Sequence, residues 1–598
     1  MSADFEKVLV KDPRLDVTDS IKYAVIKGGQ NVTNSLFQAV SSSSSQLVFN
    51  VQVPSEQTII DRRVLLRGTL KVTLGLGAAA NNQGGLANER VCYGVNAALA
   101  SFPLHQCIDT LSATINNNTV TCNIKDVLPV ILRLLDDDDL IYHNGTTPAF
   151  NDMIGYYNPA NNADDYVFLA NANTSLWGVT DQKRFHRGAF PIKEKGEAWT
   201  TTTSAVLTYS ITEPLLLSPF MFSRTKANNQ GFYGIQNMNI VANLNNGARA
   251  FRGPTNGLNI TFLEPSATGN ALYGITSVAV DFWTVKPELL FTFLTPHPSD
   301  LMPARNIVPY YELPRYITSG QDACAVGVNT NGALKPTAYP LKFSAIQLNQ
   351  IPDKLILFAR RSINAAKGWG IPDTALPIQS ISINFNNNSG ILASATQQEL
   401  WQMSKNNGCN TTWPEFCGWG TSVNANGEGY VVTSVPLSGS YLVLEFGKDI
   451  QLTEDFYAAG SLGNFNLQCT VVAANNTVSA IGADEVELVC ITMNSGVFVC
   501  ERGTSATYTG ILTKQDVLEA SAQEYYTHDD VKRLVGGGFW DSIKSGVSSL
   551  AKKGMKMGKA YAAKHGKSMM QSGLKMAANT GKKLLKKYTA PDDDEEEE

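Results

Sequence analysis

The sequence is poor in charge. Asp, Glu, Lys and Arg make up 17% of its 598 residues, against about 25% in ordinary globular chains. Its surface must rely on uncharged polar groups. Asn, Ser, Thr and 48 Gly supply them, a composition suited to strands and turns rather than to long solvated helices. A hydrophobic share of 43% excludes disorder for most of the chain. No apolar run reaches the ~18 residues of a membrane-spanning helix. The opening stretch MSADFEKVLVKDPRLD has no apolar signal core, so secretion is not indicated.

Catalytic signatures are scarce too. The six histidines, His105, His143, His186, His297, His528 and His565, form no HExxH or other metal-ligand spacing. GxSxG is missing. The Gly75–Gly85 stretch leads into no GxxxxGK[ST], which excludes a phosphate loop. The Asp136–Asp139 run lacks the alternating ligands of an EF-hand and reads as a solvated loop. The expectation is therefore a non-enzyme with no catalytic residues, no metal and no cofactor. The nine cysteines are scattered without a CxxC pair and read as free thiols of a protein made in a reducing compartment. Sequons such as the one at Asn144 read as Asn-rich turns.

Short apolar runs separated by Asn, Gly and Pro recur instead: Gln46–Val53, Arg63–Leu74, Ser204–Thr212, Ser277–Thr284, Lys354–Ala359, Tyr441–Phe446 and Phe465–Ala473. In the first, Leu47, Phe49, Val51 and Val53 fall at period two, the mark of a half-buried strand. Helical periodicity is confined to Ile124–Leu135 and Thr396–Lys405. These two segments follow similar leaders, Leu-Ser-Ala-Thr-Ile-Asn-Asn-Asn-Thr at 111–119 and Ile-Ser-Ile-Asn-Phe-Asn-Asn-Asn-Ser at 381–389. Upstream, Ile60-Asp61-Arg62-Arg63-Val64-Leu65-Leu66 resembles Pro352-Asp353-Lys354-Leu355-Ile356-Leu357. Two matches in the same order, roughly 270 to 290 residues apart, predict a duplicated unit of roughly 200 to 250 residues. The Pro-rich stretch Pro287–Pro314 reads as a crossover between the copies, because proline withholds donors from a ladder.

The net charge of -5 hides an asymmetry. From Gly538 to Pro591 there are twelve lysines and one acid, and Asp592 to Glu598 are all acidic, which leaves +4 in the tail and -9 in the body. Leu534-Val535-Gly536-Gly537-Gly538 joins the two. A triple glycine is open, extended backbone that a protease cleft accepts, or a hinge. Beyond it, Phe539, Ile543, Val547 and Leu550 share one helical face with Trp540 beside it. Lys552, Lys553, Lys556 and Lys559 follow, and Lys582, Lys583, Lys586 and Lys587 close the basic run. Such a helix suits a membrane surface or nucleic-acid phosphates.

The chain resembles the double jelly-roll major capsid proteins of virophages and polinton-like double-stranded DNA viruses. The resemblance is carried by Val25–Thr33, Pro54–Arg62, Leu111–Asn116, Pro309–Tyr316, Trp413–Phe416, Leu444–Ile450 and Gly463–Gln468. It implies an all-β fold of two tandem jelly-roll β-sandwiches with long loop insertions, here at Gly75–Arg90, Asp136–Lys193 and Cys409–Gly429. It also implies a homotrimer forming a pseudo-hexagonal capsomer in the icosahedral shell of a virion. Partners would be neighbouring capsomers and a penton protein, with assembly inside the host cell. Leu534–Gly538 is similar to sites cut by adenovirus-type maturation cysteine proteases, which implies cleavage after Gly537. The Phe539–Leu550 stretch is similar to the adenoviral membrane-lytic protein VI, which implies action on a host membrane, with packaged viral DNA as the other candidate target. The expected organisation is an N-terminal arm (1–45), a first jelly roll (46–292), a second (293–513), a connector ending in the protease site (514–537) and a cleavable Lys-rich amphipathic helical segment with an acidic tail (538–598). The alternative is a jelly-roll carbohydrate-binding or hydrolytic protein, since fold does not fix function.

Overall fold

In the computed structural model the described residues are 31–76, 98–99, 102–134, 204–220, 231–245, 247–252, 260–261, 272–273, 275–281, 286–296, 305–320, 322–324, 337–362, 375–426, 429–436, 439–452, 458–475, 481–483, 485–501 and 503–510. They form two antiparallel β-sandwiches in succession. The first contains β1 (Asn31–Gln38), β2 (Ser41–Ser42), β3 (Gln46–Gln52), β4 (Ile59–Ile60), β5 (Leu65–Leu76), β6 (Ile108–Ile115), β7 (Asn118–Cys122), β8 (Ser204–Pro214), β9 (Asn237–Leu244), β10 (Ile275–Asp281) and β11 (Glu288–Thr295). One sheet has the order β1-β11-β5-β10, with β4 on β11 and β8 on β5; the other runs β2-β3-β9-β6-β7.

The second sandwich repeats this plan with β12 (Asn306–Glu312), β13 (Arg315–Ser319), β14 (Tyr339–Gln350), β15 (Lys354–Arg361), β16 (Ile378–Phe385), β17 (Asn388–Ile391), β18 (Leu442–Glu445), β19 (Leu462–Ala473), β20 (Val486–Glu501) and β21 (Thr504–Thr509). Its sheets are β12-β20-β15-β18, with β13 and β21 on β20, and β14-β19-β16-β17. Paired antiparallel sheets, of six and five strands in the first unit and six and four in the second, make each unit a jelly roll.

Short helices complete the units: α1 (Pro103–Gln106) and α2 (Ile124–Leu134) in the first, α3 (Gln397–Asn406) and α4 (Trp413–Cys417) in the second. Helices α2 and α3 occupy the two segments whose periodicity predicts them. Thr396 starts α3 through a capping box, its side chain taking the Glu399 N–H while Glu399 takes the Thr396 N–H, which satisfies two orphan donors of the first turn.

The duplication read from the sequence has an atomic basis. Asn116 and Asn386 both adopt left-handed backbone, φ 53° and 51°, which asparagine tolerates in tight turns. The Asn116 N–H donates to the Asn237 carbonyl and its Oδ1 accepts the Gln236 N–H; Asn386 makes both bonds to Asn466. The two aspartates match as well, with the Asp61 N–H on the Thr292 carbonyl and the Asp353 N–H on the Met493 carbonyl, each at 2.9 Å.

Two sequence readings are corrected. Pro287–Pro314 is not simply a crossover, because it contains β11 and β12. Pro309 lies in β12, which among the described residues pairs along one side, with β20; an edge strand is where a missing N–H is tolerated. Asn31–Gln38, placed in an arm, forms β1 at the edge of a sheet against β11. Its residues are mostly exposed, so burial imposes no apolar alternation there.

Candidate functional site

Among the described residues of this duplicated fold no His, Cys, Asp and Glu side chains gather into a metal-type cluster, and the informative surface is the one that joins the copies. The buried apolar side chains among the described residues form two clusters. One is confined to the interior of the second sandwich, around Leu355, Leu357, Leu442, Leu444, Leu488 and Cys490. The other fills the first sandwich and continues into Ile356, Phe358, Tyr441, Val443, Val489 and Ile491 of the second. Odd residues of β15 thus face their own sandwich, and even residues face the neighbouring unit. A strand buried on both faces reads as an unbroken apolar run, and Leu-Ile-Leu-Phe-Ala at 355–359 is one.

Helix α2 lies at this seam. Every residue in it but Lys125 is buried, so the helix is enclosed on all sides. Its third residue, Asp126, is fully buried. The Arg360 guanidinium of β15 donates to Asp126 Oδ1 at 2.5 Å. Arg315 of β13 brings Nε to 2.9 Å from Oδ2, an ion pair too far off line for a hydrogen bond. Arg360 also donates from Nε to Glu487 Oε2 at 3.2 Å. Two guanidinium groups and two carboxylates therefore meet in low dielectric, where burial is tolerated because the charges are paired.

The last turn of α2 makes a second contact. The Arg133 guanidinium sits 3.7 Å above the Tyr441 ring centroid and donates to the Pro129 carbonyl at 2.9 Å. Tyr441 in turn packs on Phe358, ring centroids 4.8 Å apart. The Arg133 carbonyl accepts the Asn410 N–H at 2.7 Å. This ties the otherwise orphaned end of the helix to the second unit. At the other rim, the Ser505 N–H donates to Asn117 Oδ1 at 2.9 Å and its hydroxyl to the Ile115 carbonyl at 2.6 Å. The Tyr311 N–H donates to the Ser218 hydroxyl, and burial pushes the Tyr311 phenol well above its usual range.

One other buried polar cluster lies inside the first sandwich. Glu213 accepts the N–H groups of Leu104 and His105 and lies 2.6 Å from His105 Nδ1. His105 Nε2 accepts the Leu216 N–H at 3.2 Å. That bond fixes the proton on Nδ1, which donates to the carboxylate. With all these partners inside the fold and no open approach, the pair is a brace for α1 and not a catalytic dyad. Among the described residues no three His, Cys, Asp or Glu side chains converge as a metal site would require. The eight described cysteines are unpaired thiols, and burial pushes several up, Cys122, Cys469 and Cys500 to about 12.

The residues singled out in the tail lie outside the described residues: Leu534 to Gly538, the face Phe539, Trp540, Ile543, Val547 and Leu550, and the eight lysines from Lys552 to Lys587 named above. The same holds for the connector, the acidic end and the Asp136–Lys193 insertion. Sequence reasoning missed the seam. Its signal was an Asp and an Arg inside the apolar Ile-Lys-Asp-Val-Leu-Pro-Val-Ile-Leu-Arg-Leu of α2, and arginines closing the apolar run of β15.

Comparison with known proteins adds an independent line. Residues 3–293 match the family model for the first domain of the Sputnik virophage major capsid protein. Residues 313–496 match that for the C-terminal domain of the major capsid protein V20. The chain is 28% identical over 546 residues to the Sputnik virophage protein V20, which is named as a capsid protein, covering 90% of this chain and 85% of that one. It superposes on the capsid chain in the cryo-electron-microscopy structure of the Sputnik virophage with a TM-score of 0.70 at 27% identity, covering 89% of this chain and 99% of that one. The fold is shared with the mavirus major capsid protein, TM-score 0.60 at 14% identity, covering 88% and 100%.

Proposed function

Because the chain belongs to the virophage major capsid protein family, a structural component of the icosahedral virion shell and not an enzyme, we propose that three copies close into a pseudo-hexagonal capsomer. The observation that carries this reading is the seam. Two units of one topology stand side by side in one chain, joined by a helix of the first against a sheet of the second. Repeating that step from the second unit of one copy to the first unit of the next closes a ring of six sandwiches with three chains. The order of domains read from the sequence is retained in this proposal, with β1 and β2 added to the first jelly roll and its end moved to the close of β11 at Thr295.

Capsomers tile with neighbouring capsomers and with a penton protein. The segment from Gly538 onward is released by a viral maturation cysteine protease cutting after Gly537, and it then acts on a membrane or on packaged DNA. The apolar Phe539–Leu550 face favours the membrane; the lysines serve either target. Mass spectrometry of mature particles tests the cleavage, with a species ending at Gly537 expected and an intact chain of 598 residues excluding it. Vesicle leakage by peptide 538–560 tests the membrane target. Absence of leakage at any lipid charge, together with salt-sensitive DNA binding by peptide 538–591, assigns the segment to DNA.

A further inference from the structure

The duplication lets residues of one unit be placed on residues of the other. Leu66 pairs with Leu289, three residues before the Thr292 that anchors Asp61; Leu357 pairs with Cys490, three residues before the Met493 that anchors Asp353. Leu66 therefore corresponds to Leu357, Arg67 to Phe358 and Thr69 to Arg360. In the helices, Asp126 and Glu399 are both the third residue.

These matched positions have opposite character. The even face of β15 presents Ile356, Phe358 and Arg360 to α2 and is buried. The corresponding face of β5 presents Leu65, Arg67, Thr69 and Lys71, with Arg67 and Lys71 exposed and without an ion partner among the described residues. Helix α2 is buried all round. Helix α3 buries only Leu400 and Ser404 and exposes Gln398, Glu399 and Gln402, with Lys405 and Asn406 exposed in its last turn, almost two turns away from Glu399. Glu399 uses Oε2 for its cap, accepting the Thr396 N–H at 2.7 Å and hydroxyl at 2.9 Å, which leaves Oε1 available. A carboxylate stands on one open face at the position of Asp126, and on the other two cations, Arg67 and Lys71, flank Thr69 at the position of Arg360.

We propose that the exposed face of α3 docks on the outer face of β5 in a second copy of this chain, with Glu399 between Arg67 and Lys71. The contact rests on the trimeric reading above and specifies its interface. It is the seam repeated between chains with polar residues in place of apolar ones. The physical logic is that a seam inside one chain never has to be exposed to water, whereas the faces between copies are solvated until assembly. A polar, oppositely charged contact keeps the free subunit soluble and fixes the docking register.

The test uses the full-length chain. Mass photometry and analytical ultracentrifugation at low salt are compared for wild type, R67E/K71E, E399K and the swap E399K/R67E, with circular dichroism melts to establish folding. Wild type is expected as a trimer. R67E/K71E and E399K should each raise the half-dissociation concentration about tenfold or more, since small pairwise terms act at three interfaces, and the swap should recover most of that loss. Carbodiimide coupling of the unaltered trimer should join Glu399 to Lys71 between chains. A wild-type trimer that gives no such link and is insensitive to all three variants overturns this contact while leaving the capsomer reading intact. A wild type that is monomeric at every concentration overturns both.

Discussion

Removing the Asp126 carboxylate is the sharpest perturbation of the seam. Asp126 is fully buried and Arg360 is 4% exposed, whereas Arg315 is 29% exposed. Deleting one member of a buried pair costs about 3–5 kcal/mol, because the other charge is left in low dielectric. Two features reduce that figure here. Arg360 keeps Glu487, 3.2 Å away and 19% exposed, and Arg315 turns to water at little cost. Asp126→Ala should therefore destabilise the chain by about 2–3 kcal/mol. Arg360→Met alone leaves Asp126 with Arg315, and the double variant replaces the pair by apolar contact. Urea unfolding of the four proteins, with the m-value unchanged across the set, gives the coupling. A value of about 1–3 kcal/mol is expected for groups in direct contact. A coupling below about 0.5 kcal/mol, with Asp126→Ala as stable as wild type, would refute the claim that this ion pair fastens the two sandwiches.

Three further outcomes follow from the same geometry. At the paired turns, Asn386→Ala loses the bond to the Asn466 N–H and strains left-handed backbone, costing about 2–3 kcal/mol, while Asn386→Gly loses the bond alone and costs less; equal losses would remove the backbone argument. Glu213→Gln places an amide N–H against the donors of Leu104 or His105 and should lower stability by about 1–3 kcal/mol in calorimetry, with His105→Ala comparable; an unchanged melting temperature for both variants would mean that this cluster does not hold α1. Stability should also fall as pH rises above about 9. Burial raises Cys122, Cys469 and Cys500 to about 12 and lifts Tyr310 and Tyr311 further. Between the unfolded and folded values only the unfolded chain releases these protons, so the folded state loses about 1.4 kcal/mol per pH unit for each group. Lys354, lowered by burial, acts in the opposite sense below 10.5. Urea midpoints that stay level from pH 8 to 11 would contradict the burial of these groups.

Local chemistry was legible wherever one face of an element meets one environment. The alternation of Leu47, Phe49 and Val51 gave β3. The spacing of Thr396 and Glu399 marks the start of α3, and the triple asparagines marked turns that need left-handed backbone. Illegible were elements whose neighbours lie far away in the chain. Asn31–Gln38 is a strand because β11, some 250 residues later, pairs with it; an edge strand that is mostly exposed, with Phe37 its one hydrophobic side chain packed on the core, carries too short a period to read. Pro309 looked like a breaker because sequence does not say that its strand lies at an edge. Asp126 and Arg360 are 234 residues apart, and no local pattern announces their pairing.

The sequence by itself determined the all-β class, the duplication, the two helices and, through the ordered short motifs, the capsid family, since period, turn chemistry and repeated order are properties of nearby residues. Only the tertiary structure decided which copy buries its helix and which leaves it in water. That choice depends on how two similar units are joined, and the covalent link favours one order of contact: the helix of the first on the sheet of the second. The apolar α2 and the polar α3 are the residues' answer to that difference in burial.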